Sequence, residues 1–347
     1  IKAAGTVDIV IAEVSDHYGV TKVPATDKPV FLYINTRDKA VLDMVKNLRI
    51  AGIFQPSVDA ASFVRKAQNI IKSVRPAEGI DFEKIKVKIL AKAESVPMLP
   101  SFVNKLIVLT SGDSATIEEL SAEIKKDQGI SGRVIRMVNS PFFGLRQNVN
   151  SIDRAVVLLG FHTLKNIALA AASGSYYNKQ FQMYKTTGAA LWNHAYTVAL
   201  IAEMLAAKVG LDPDGMYLAG LFHDIGKTVM VDFLVQEVGT TAEERAQLGM
   251  DHAEVAWLIT RRWQLPEEVC TAIRHHHQPD ESAASQILYY ANRFARVAKF
   301  EGGHMLGDNK ALDLLMEELA GKYSMPQHEA MTKELAKLFA EASEVKM

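Results

Sequence analysis

The sequence predicts a mainly α protein in which a small α/β segment precedes a large helical region. Buried-strand patterns, such as that of residues 7–14, occur in about the first 75 residues and almost vanish afterwards. From Phe82 onward, apolar residues recur at helical spacing, and Gly, Pro, Ser and Thr separate successive runs. These patterns favour an α/β unit followed by helices that extend to the C-terminus.

The composition limits the function classes open to the chain. It has 347 residues, 48% of them hydrophobic, which is enough for two or three domains with a sizeable core. A formal net charge of -1 does not suggest general nucleic-acid or anionic-membrane binding, and no apolar run is long enough to span a bilayer. The single cysteine, Cys270, excludes an internal disulfide. We therefore expect a cytoplasmic protein without direct nucleic-acid or membrane partners.

The first segment alternates strand and helix patterns. Strands are predicted at residues 7–14, 29–34 and 53–56, and helices at 38–48 and 60–74. Such alternation is typical of a parallel sheet with covering helices. We predict an α/β domain over residues 1–75, followed by a linker at 76–82 that Pro and Gly punctuate.

This segment resembles the second half of a response-regulator receiver domain. Glu13 lies where such domains carry the phosphorylated Asp, and Gln55 lies where they carry a Lys. Ile34 lies near their switch Ser or Thr, and the upstream strand with its acidic metal-binding pair has no counterpart here. The resemblance therefore implies a partial, degenerate receiver that docks to a partner or forms a homodimer, without phosphorylation chemistry.

Helix signals dominate the remainder of the chain. Thr116 and Glu119 form a capping-box pattern, and Asn139 and Ser140 are expected to satisfy backbone groups at a helix end. The predicted helices include residues 82–94, 101–109, 131–139, 152–159, 161–172 and 189–208.

The adjacent pair His223-Asp224 is the most informative chemical signal in the helical region. An imidazole nitrogen and a carboxylate oxygen side by side supply the mixed donor set of a hydrolytic metal site. His194 precedes the pair and His252 follows it, and each shares a helix face with apolar residues. Several buried imidazoles without a metal would each need another hydrogen-bond partner. The run His275-His276-His277 adds further candidate ligands.

This order of His, His-Asp, His, His-His and a final acidic position resembles the HD superfamily of metal-dependent phosphohydrolases. Additional markers resemble the HDOD domain, a variant of that superfamily found in bacterial signalling proteins. The markers are Pro97-Met98-Leu99-Pro100, Lys126-Asp127, the run from Val138 to Gly144 and the run from Arg154 to Gly160. The resemblance implies an all-helical HDOD domain, with an N-terminal helical part at 83–180 and an HD-like part with C-terminal helices at 181–347.

The resemblance also implies a site for a divalent transition metal (Fe, Mn, Zn or Ni) or for Mg. The implied ligands are His194, His223, Asp224, His252, His276, His277 and Asn292. His275 occupies a variable position of the family pattern. In an active member, Asp224 and Lys227 would be catalytic, with Lys227 stabilising phosphoryl charge.

Two departures from the family pattern weigh against hydrolysis. The family has Asp where this chain has Asn292, and the neutral amide removes one formal charge beside the metal. That change predicts weaker metal binding and a less acidic bound water. The Gly-Tyr-Pro sequence of the cyclic-di-GMP phosphodiesterases is replaced by Gln278-Pro279-Asp280, which argues against that substrate.

Three functions remain open from the sequence. The favoured one is a signalling module that acts by contacts with a protein partner, because the receiver-like segment and the metal site both depart from active patterns. The second is a metal-dependent phosphohydrolase or nucleotide phosphodiesterase that tolerates Asn292. The third is a sensor that binds a phosphorylated small molecule or nucleotide without turnover.

Overall fold

The chain divides into two compact units, Ile1–Asp81 and Phe82–Met347. The structure is a computed structural model. It describes residues 10–14, 30–34, 52–54, 81–110, 116–297, 300–301, 304–305, 310–323 and 333–338.

The described part of the first unit is a parallel sheet. Its strands, in spatial order, are β1 (Val10–Val14), β2 (Val30–Ile34) and β3 (Gly52–Phe54). In the register between the first two strands, Val10 lies opposite Val30. Parallel strands that are consecutive in sequence need crossover connections, so the arrangement agrees with the predicted α/β unit.

Several expectations for the first unit lie outside the described residues. These are the helices predicted at 38–48 and 60–74, together with Gln55. The side chains of Glu13 and Ile34 are likewise outside what the structure describes. The receiver-like chemistry of this unit therefore stays a prediction from sequence.

The second unit is helical, and the predicted mainly α fold class is confirmed. Its helices are α1 (Phe82–Glu94), α2 (Ser101–Thr110), α3 (Ile117–Lys125), α4 (Gln128–Val138), α5 (Ile152–Leu159), α6 (Phe161–Ser173), α7 (Gly188–Val209), α8 (Pro213–Phe222), α9 (Lys227–Met230), α10 (Thr241–Leu248), α11 (His252–Arg262), α12 (Glu267–His275), α13 (Ala283–Val297) and α14 (Lys310–Lys322). Residues 333–338 are also helical. Two short antiparallel strand pairs interrupt the helices: β4 (Gln180–Phe181) with β5 (Thr186–Thr187), and β6 (Phe300–Glu301) with β7 (His304–Met305).

Local capping explains where the early helices begin. The predicted capping box is present: Thr116 accepts a hydrogen bond from the Glu119 backbone N–H, and the Glu119 carboxylate accepts one from the Thr116 N–H. Helix α4 starts earlier than predicted, because the Asp127 side chain accepts from the Ile130 N–H at 2.9 Å and acts as the N-cap.

The end of α4 is held by one of the two polar side chains predicted there. Asn139 donates from Nδ2 to the carbonyl oxygens of Ile135 and Val149, and its Oδ1 accepts from the Val149 N–H. The expectation for Ser140 is wrong, since its buried hydroxyl has no hydrogen-bond partner among the described residues. Of these two residues, Asn139 is the one that ties the helix end to the following loop.

Helix α7 forms the centre of the second unit. It has 22 residues, is buried on most of its surface, and packs against α8 and α13. The approach of α8 is close because Gly220 has no side chain: a Cβ there would lie 2.5 Å from the Ala199 Cα. Among the described helices, none combines the length and the apolar character needed to cross a bilayer. The long apolar helix is therefore a core helix.

A second glycine brings two further helix ends together. A Cβ on Gly226 would lie 2.0 Å from the carbonyl oxygen of His252 and 2.9 Å from the Ala256 nitrogen. Only a residue without a side chain fits this approach. The turn that carries Asp224 therefore packs directly against the start of α11, which places the Asp224 side chain beside that of His252.

Candidate metal centre

The predicted ligands come from five different parts of the second unit. His194 lies on α7, and His223-Asp224 follow the end of α8. His252 is the first residue of α11, His276 and His277 follow α12, and Asn292 lies on α13. The structure brings these residues together, although they span about a hundred positions of the sequence.

The Asp224 carboxylate lies at the centre of the group and is completely buried. Its Oδ2 lies 2.7 Å from the Lys227 ammonium and 3.4 Å from His223 Nε2. Its Oδ1 lies 3.1 Å from His252 Nε2 and 3.8 Å from His276 Nε2. The two oxygens therefore face different partners: Oδ2 faces the Lys227 ammonium and His223, and Oδ1 faces His252 and His276.

Four residues form what we call the buried cluster: Asp224, His252, His276 and His277. One ligand atom from each lies within 4.8 Å of all the others. His252 Nε2 is 3.0 Å from His277 Nε2 and 3.4 Å from His276 Nε2. Three nitrogen donors and one carboxylate oxygen thus converge at separations that a single divalent transition metal could bridge.

Hydrogen bonds hold the Nδ1 atoms of three histidines, on the side of each ring away from Asp224. Nδ1 of His223 lies 2.7 Å from the Gly220 carbonyl oxygen, and Nδ1 of His276 lies 2.6 Å from that of Ile273. Nδ1 of His252 lies 2.8 Å from both carboxylate oxygens of Glu244. Because these partners only accept hydrogen bonds, each Nδ1 carries the proton, and in the neutral ring Nε2 carries the lone pair that a metal requires.

Two buried atoms of the site have no hydrogen-bond partner among the described residues. They are His223 Nε2 and Asp224 Oδ1. An orphaned buried polar atom costs about 1–3 kcal/mol, so natural proteins seldom retain one without a partner such as a water or an ion. The orphaned atoms belong to the two residues of the His-Asp pair, and the donor set around Asp224 Oδ1 fits a metal ion.

The second donor group consists of His194, His223 and Asp224. Here His194 Nε2 lies 3.1 Å from Asn292 Oδ1 and 4.0 Å from Asp224 Oδ2. A carboxamide oxygen can only accept, so this contact is a hydrogen bond in the tautomer with the His194 proton on Nε2. In that tautomer Nε2 has no lone pair for a metal, and the group is chemically less complete than the buried cluster.

Burial controls the charge state of most of these side chains. Burial lowers the pKa of His194 to about 3 and also holds the pKa values of His276 and His277 well below the usual range. His252 differs: burial lowers its pKa, but the Glu244 and Asp224 carboxylates together outweigh burial and raise it. Burial raises the pKa of Asp224, yet the neighbouring His223 and Lys227 outweigh this and keep it well below its usual value.

Lys227 is buried beside Asp224 and lies at the start of the short helix α9. Its ammonium is 5.6 Å from the centre of the Tyr184 ring. Sequence reasoning missed Tyr184 and Glu244, both of which contact residues of the site. Nothing in their spacing relative to the His-Asp pair indicates a role.

A separate group of potential metal ligands lies on α6, α7 and α8. His162 Nε2 is 3.1 Å from Glu203 Oε1 and 3.3 Å from Asp214 Oδ1, and we call these three residues the surface cluster. The Lys165 ammonium, whose side chain is 3% exposed, contacts the same Asp214 oxygen. Asn166 donates to Glu203 at 2.7 Å. The sequence patterns did not predict this cluster.

The fold and the buried cluster define a class: a helical domain that gathers His and Asp side chains from several helix ends around a His-Asp pair. Comparison with protein families makes the assignment specific. The model of the HDOD domain family matches residues 96–279, more than half of the chain, and the chain therefore belongs to the HDOD domain family.

Individual relatives cover parts of the chain. One 209-residue stretch, 56% of this chain, is 26% identical to an uncharacterized protein of Treponema pallidum and covers 40% of it. An 89-residue stretch, 26% of this chain, is 38% identical to ribonuclease Y of Thermus thermophilus and covers 13% of that enzyme. The chain therefore spans less than half the length of these curated relatives.

Solved structures share the fold. An HDOD domain protein of unknown function from Geobacter sulfurreducens is 23% identical with a TM-score of 0.55, over 76% of this chain and 99% of that chain. A Shewanella amazonensis protein, proposed by its name to be a phosphohydrolase, is also 23% identical with a TM-score of 0.58. That match covers 74% of this chain and 96% of the other. At this identity, the likeness concerns the fold alone.

Proposed function

We propose that this HDOD protein is a signalling module that acts through contacts with a protein partner, and that its helical unit holds a metal ion without a complete hydrolytic site. The observation that carries the proposal is the pairing of Asn292 with His194 at 3.1 Å. The pairing occupies a nitrogen that the second donor group would need for a metal.

The buried cluster is the part of the site that suits an ion. Imidazole nitrogens favour Fe, Mn, Zn or Ni over Mg, which prefers an all-oxygen shell. When bound, such an ion supplies positive charge that can neutralise Asp224 and polarise a phosphoryl oxygen. The remaining ligands, His252, His276 and His277, come from the start of α11 and the end of α12, so binding would fix these helix ends relative to one another.

The contacts of Lys227 favour a structural role for this residue over a catalytic one. Its ammonium lies 2.7 Å from Asp224 Oδ2 and is buried. The ammonium neutralises the buried carboxylate, and moving it away to bind a phosphate would leave Asp224 Oδ2 buried without its cation. The ion pair thus stabilises the turn that carries His223 and Asp224.

The second part of the proposal concerns the first unit, which we expect to make the protein contacts. With Glu13 and Gln55 in place of a phosphorylated Asp and its Lys, the receiver-like segment has no acceptor chemistry of the usual kind. We propose that it docks to a signalling protein or to a second copy of the chain. Comparing the partners captured by the full chain and by a Phe31→Asp variant, which places a charge in β2, tests this docking role.

Metal analysis combined with an activity screen tests the central claim. The purified protein should contain about one transition-metal ion per chain and should show no hydrolysis of nucleotides, cyclic nucleotides or phosphodiesters with Mn²⁺, Fe²⁺ or Mg²⁺. Turnover that Asp224→Ala abolishes would overturn the proposal. If the purified protein contains no metal, the metal-binding part of the proposal is wrong and only the role in protein contacts stands.

A metal-dependent phosphohydrolase or nucleotide phosphodiesterase is the second candidate. It is favoured by the orphaned His223 Nε2, which a second ion could satisfy, and by the ribonuclease Y relative. The activity screen separates it from the first candidate. Nucleotide binding without turnover, measured by calorimetry, would instead favour the nucleotide sensor.

A further inference from the structure

The Glu244 carboxylate contacts the ring and the backbone of one proposed metal ligand. It lies on α10 and is 2% exposed. Both of its oxygens are 2.8 Å from His252 Nδ1, and Oε2 is also 3.0 Å from the His252 backbone nitrogen. A buried carboxylate must have partners that offset its desolvation, and His252 provides two of them.

We propose that Glu244 is a positioning residue that orients His252 and strengthens its bond to the metal. The inference rests on the proposed metal site in the buried cluster. By accepting the Nδ1–H proton, Glu244 fixes the tautomer in which Nε2 is the ligand atom. A carboxylate in that position also makes the imidazole a more basic ligand.

Comparison with the other histidines shows what is particular to His252. His223 and His276 donate from Nδ1 to neutral carbonyl oxygens three residues earlier in their own chain segment. His252 instead donates to a charged side chain from a neighbouring helix, eight residues away. Its orientation therefore depends on a specific side chain rather than on the local helix end.

The formal charge of the site also favours a role for Glu244 in metal binding. With neutral imidazoles, the site contains the carboxylates of Asp224 and Glu244 and the ammonium of Lys227, so its formal charge is one negative unit without an ion. A divalent ion brings it to one positive unit. Without the Glu244 charge, the occupied site would carry two positive units in a buried environment, which disfavours binding.

The rival explanation is that Glu244 only caps α11. That helix already has a cap, because the Asp251 side chain accepts from the backbone N–H groups of Ala253 and Glu254. Glu244 accepts from the one further N–H of this turn, that of His252, and so contributes to the cap. Capping alone would not require the second contact, with the imidazole ring.

Glu244→Gln tests the proposal, with Co²⁺ as the probe. Gln keeps the size of the side chain and one acceptor oxygen but loses the charge. We expect the Co²⁺ affinity, measured by competition with a chelator, to fall about 10- to 100-fold. The visible absorption bands of bound Co²⁺ should also shift, which a purely structural role would not cause.

Glu243→Gln is the matched control. It removes the same charge from the adjacent position, where the carboxylate accepts from the Gly239 and Thr240 backbone N–H groups, away from the histidines. Its Co²⁺ affinity should equal that of the unmodified protein. Equal affinities for the Glu244→Gln and Glu243→Gln proteins would overturn the positioning role. If the unmodified protein does not bind Co²⁺, the proposed metal site itself is contradicted.

A measurement on the unmodified protein covers the case in which Glu244→Gln does not fold. Histidine ¹⁵N NMR of the Zn²⁺-loaded protein should show His252 with a protonated Nδ1 and a metal-bound Nε2. A metal-bound Nδ1, or exchange between tautomers, would contradict the proposal.

Discussion

Two groups of potential metal ligands in the second unit differ in what already occupies their ligand atoms. The buried cluster combines three imidazoles with Asp224, and the surface cluster combines His162 with Glu203 and Asp214. In both groups the ligand atoms lie within 4.8 Å of one another. Proximity of ligand atoms therefore does not distinguish a metal site from an ion-pair network.

In the surface cluster, the carboxylate charges are already neutralised by a protonated imidazole and by an ammonium group. Lys165 contacts Asp214, and hydrogen bonds to Asp214 and Glu203 raise the pKa of His162 to about 9. A protonated His162 and Lys165 offset both carboxylates. A dication would have to displace the His162 proton and bind beside an ammonium.

In the buried cluster the ligand atoms are less fully satisfied. Asp224 Oδ1 has no hydrogen-bond partner among the described residues, and Lys227 neutralises the other oxygen. The neighbouring imidazoles present their Nε2 atoms to it, with protons fixed on the opposite side of His252 and His276. Unsatisfied lone pairs, rather than residue types, therefore identify the candidate metal site.

The largest expected effect comes from matched Asp→Asn changes in the two clusters. Asp224→Asn should reduce bound metal by more than tenfold and should destabilise the protein by about 3–5 kcal/mol, since Lys227 loses its buried partner. Asp214→Asn should leave the metal content unchanged. Metal analysis and denaturant unfolding measure both effects. Metal loss in the Asp214→Asn protein would place an ion in the surface cluster and contradict its assignment as an ion-pair network.

A backbone change tests how the buried cluster is assembled. Gly226→Ala places a methyl group 2.0 Å from the His252 carbonyl oxygen, so α9 and α11 must separate. We expect a loss of about 1–3 kcal/mol in the free energy of unfolding and weaker metal binding. Gly321→Ala is the control, because a Cβ there meets nothing within 4 Å, and a helical alanine is neutral or stabilising. Equal stability of the two variants would contradict the close approach.

Restoring a carboxylate tests why the second donor group is incomplete. Asn292→Asp would give His194 an acidic neighbour in place of the amide at 3.1 Å. We expect the stoichiometry to rise from about one to about two metal ions per chain, because the added charge favours a second dication. Metal analysis after equilibration with Mn²⁺ measures this number. A stoichiometry that stays at one would show that geometry, rather than charge, limits the second donor group.

Much of the helical unit could be predicted because its local signals agree with the tertiary structure. The predicted bounds of the helix at residues 82–94 match α1, and the capping box of Thr116 is present. Helix α4 begins earlier than predicted because the Asp127 side chain caps it. Capping and apolar spacing act within a few residues, so sequence inspection detects them well.

The site was predictable only in its residue types. The order of His194, His223, Asp224 and His252 indicated a metal group, and these side chains do lie together. Glu244 was missed because its contact with His252 depends on how α10 packs beside α11. The surface cluster was missed for the same reason, since three separate helices supply its side chains. Long-range packing leaves no local pattern in a single sequence.

The smallest expected effect is the pH dependence that the surface cluster gives to stability. Asp214 and Glu203 raise the His162 pKa to about 9 from an ordinary value of 6.5, so protonation is favoured by folding. The stabilisation is full below about pH 6.5 and is lost as pH rises through about 9. The stability difference between the unmodified protein and His162→Gln should therefore shrink across this window in thermal melts. Since the His162 side chain is 59% exposed, the difference should also fall with added salt. In an Asp214→Asn background, the window should move to lower pH, and an unchanged window would show that Asp214 does not hold the His162 proton.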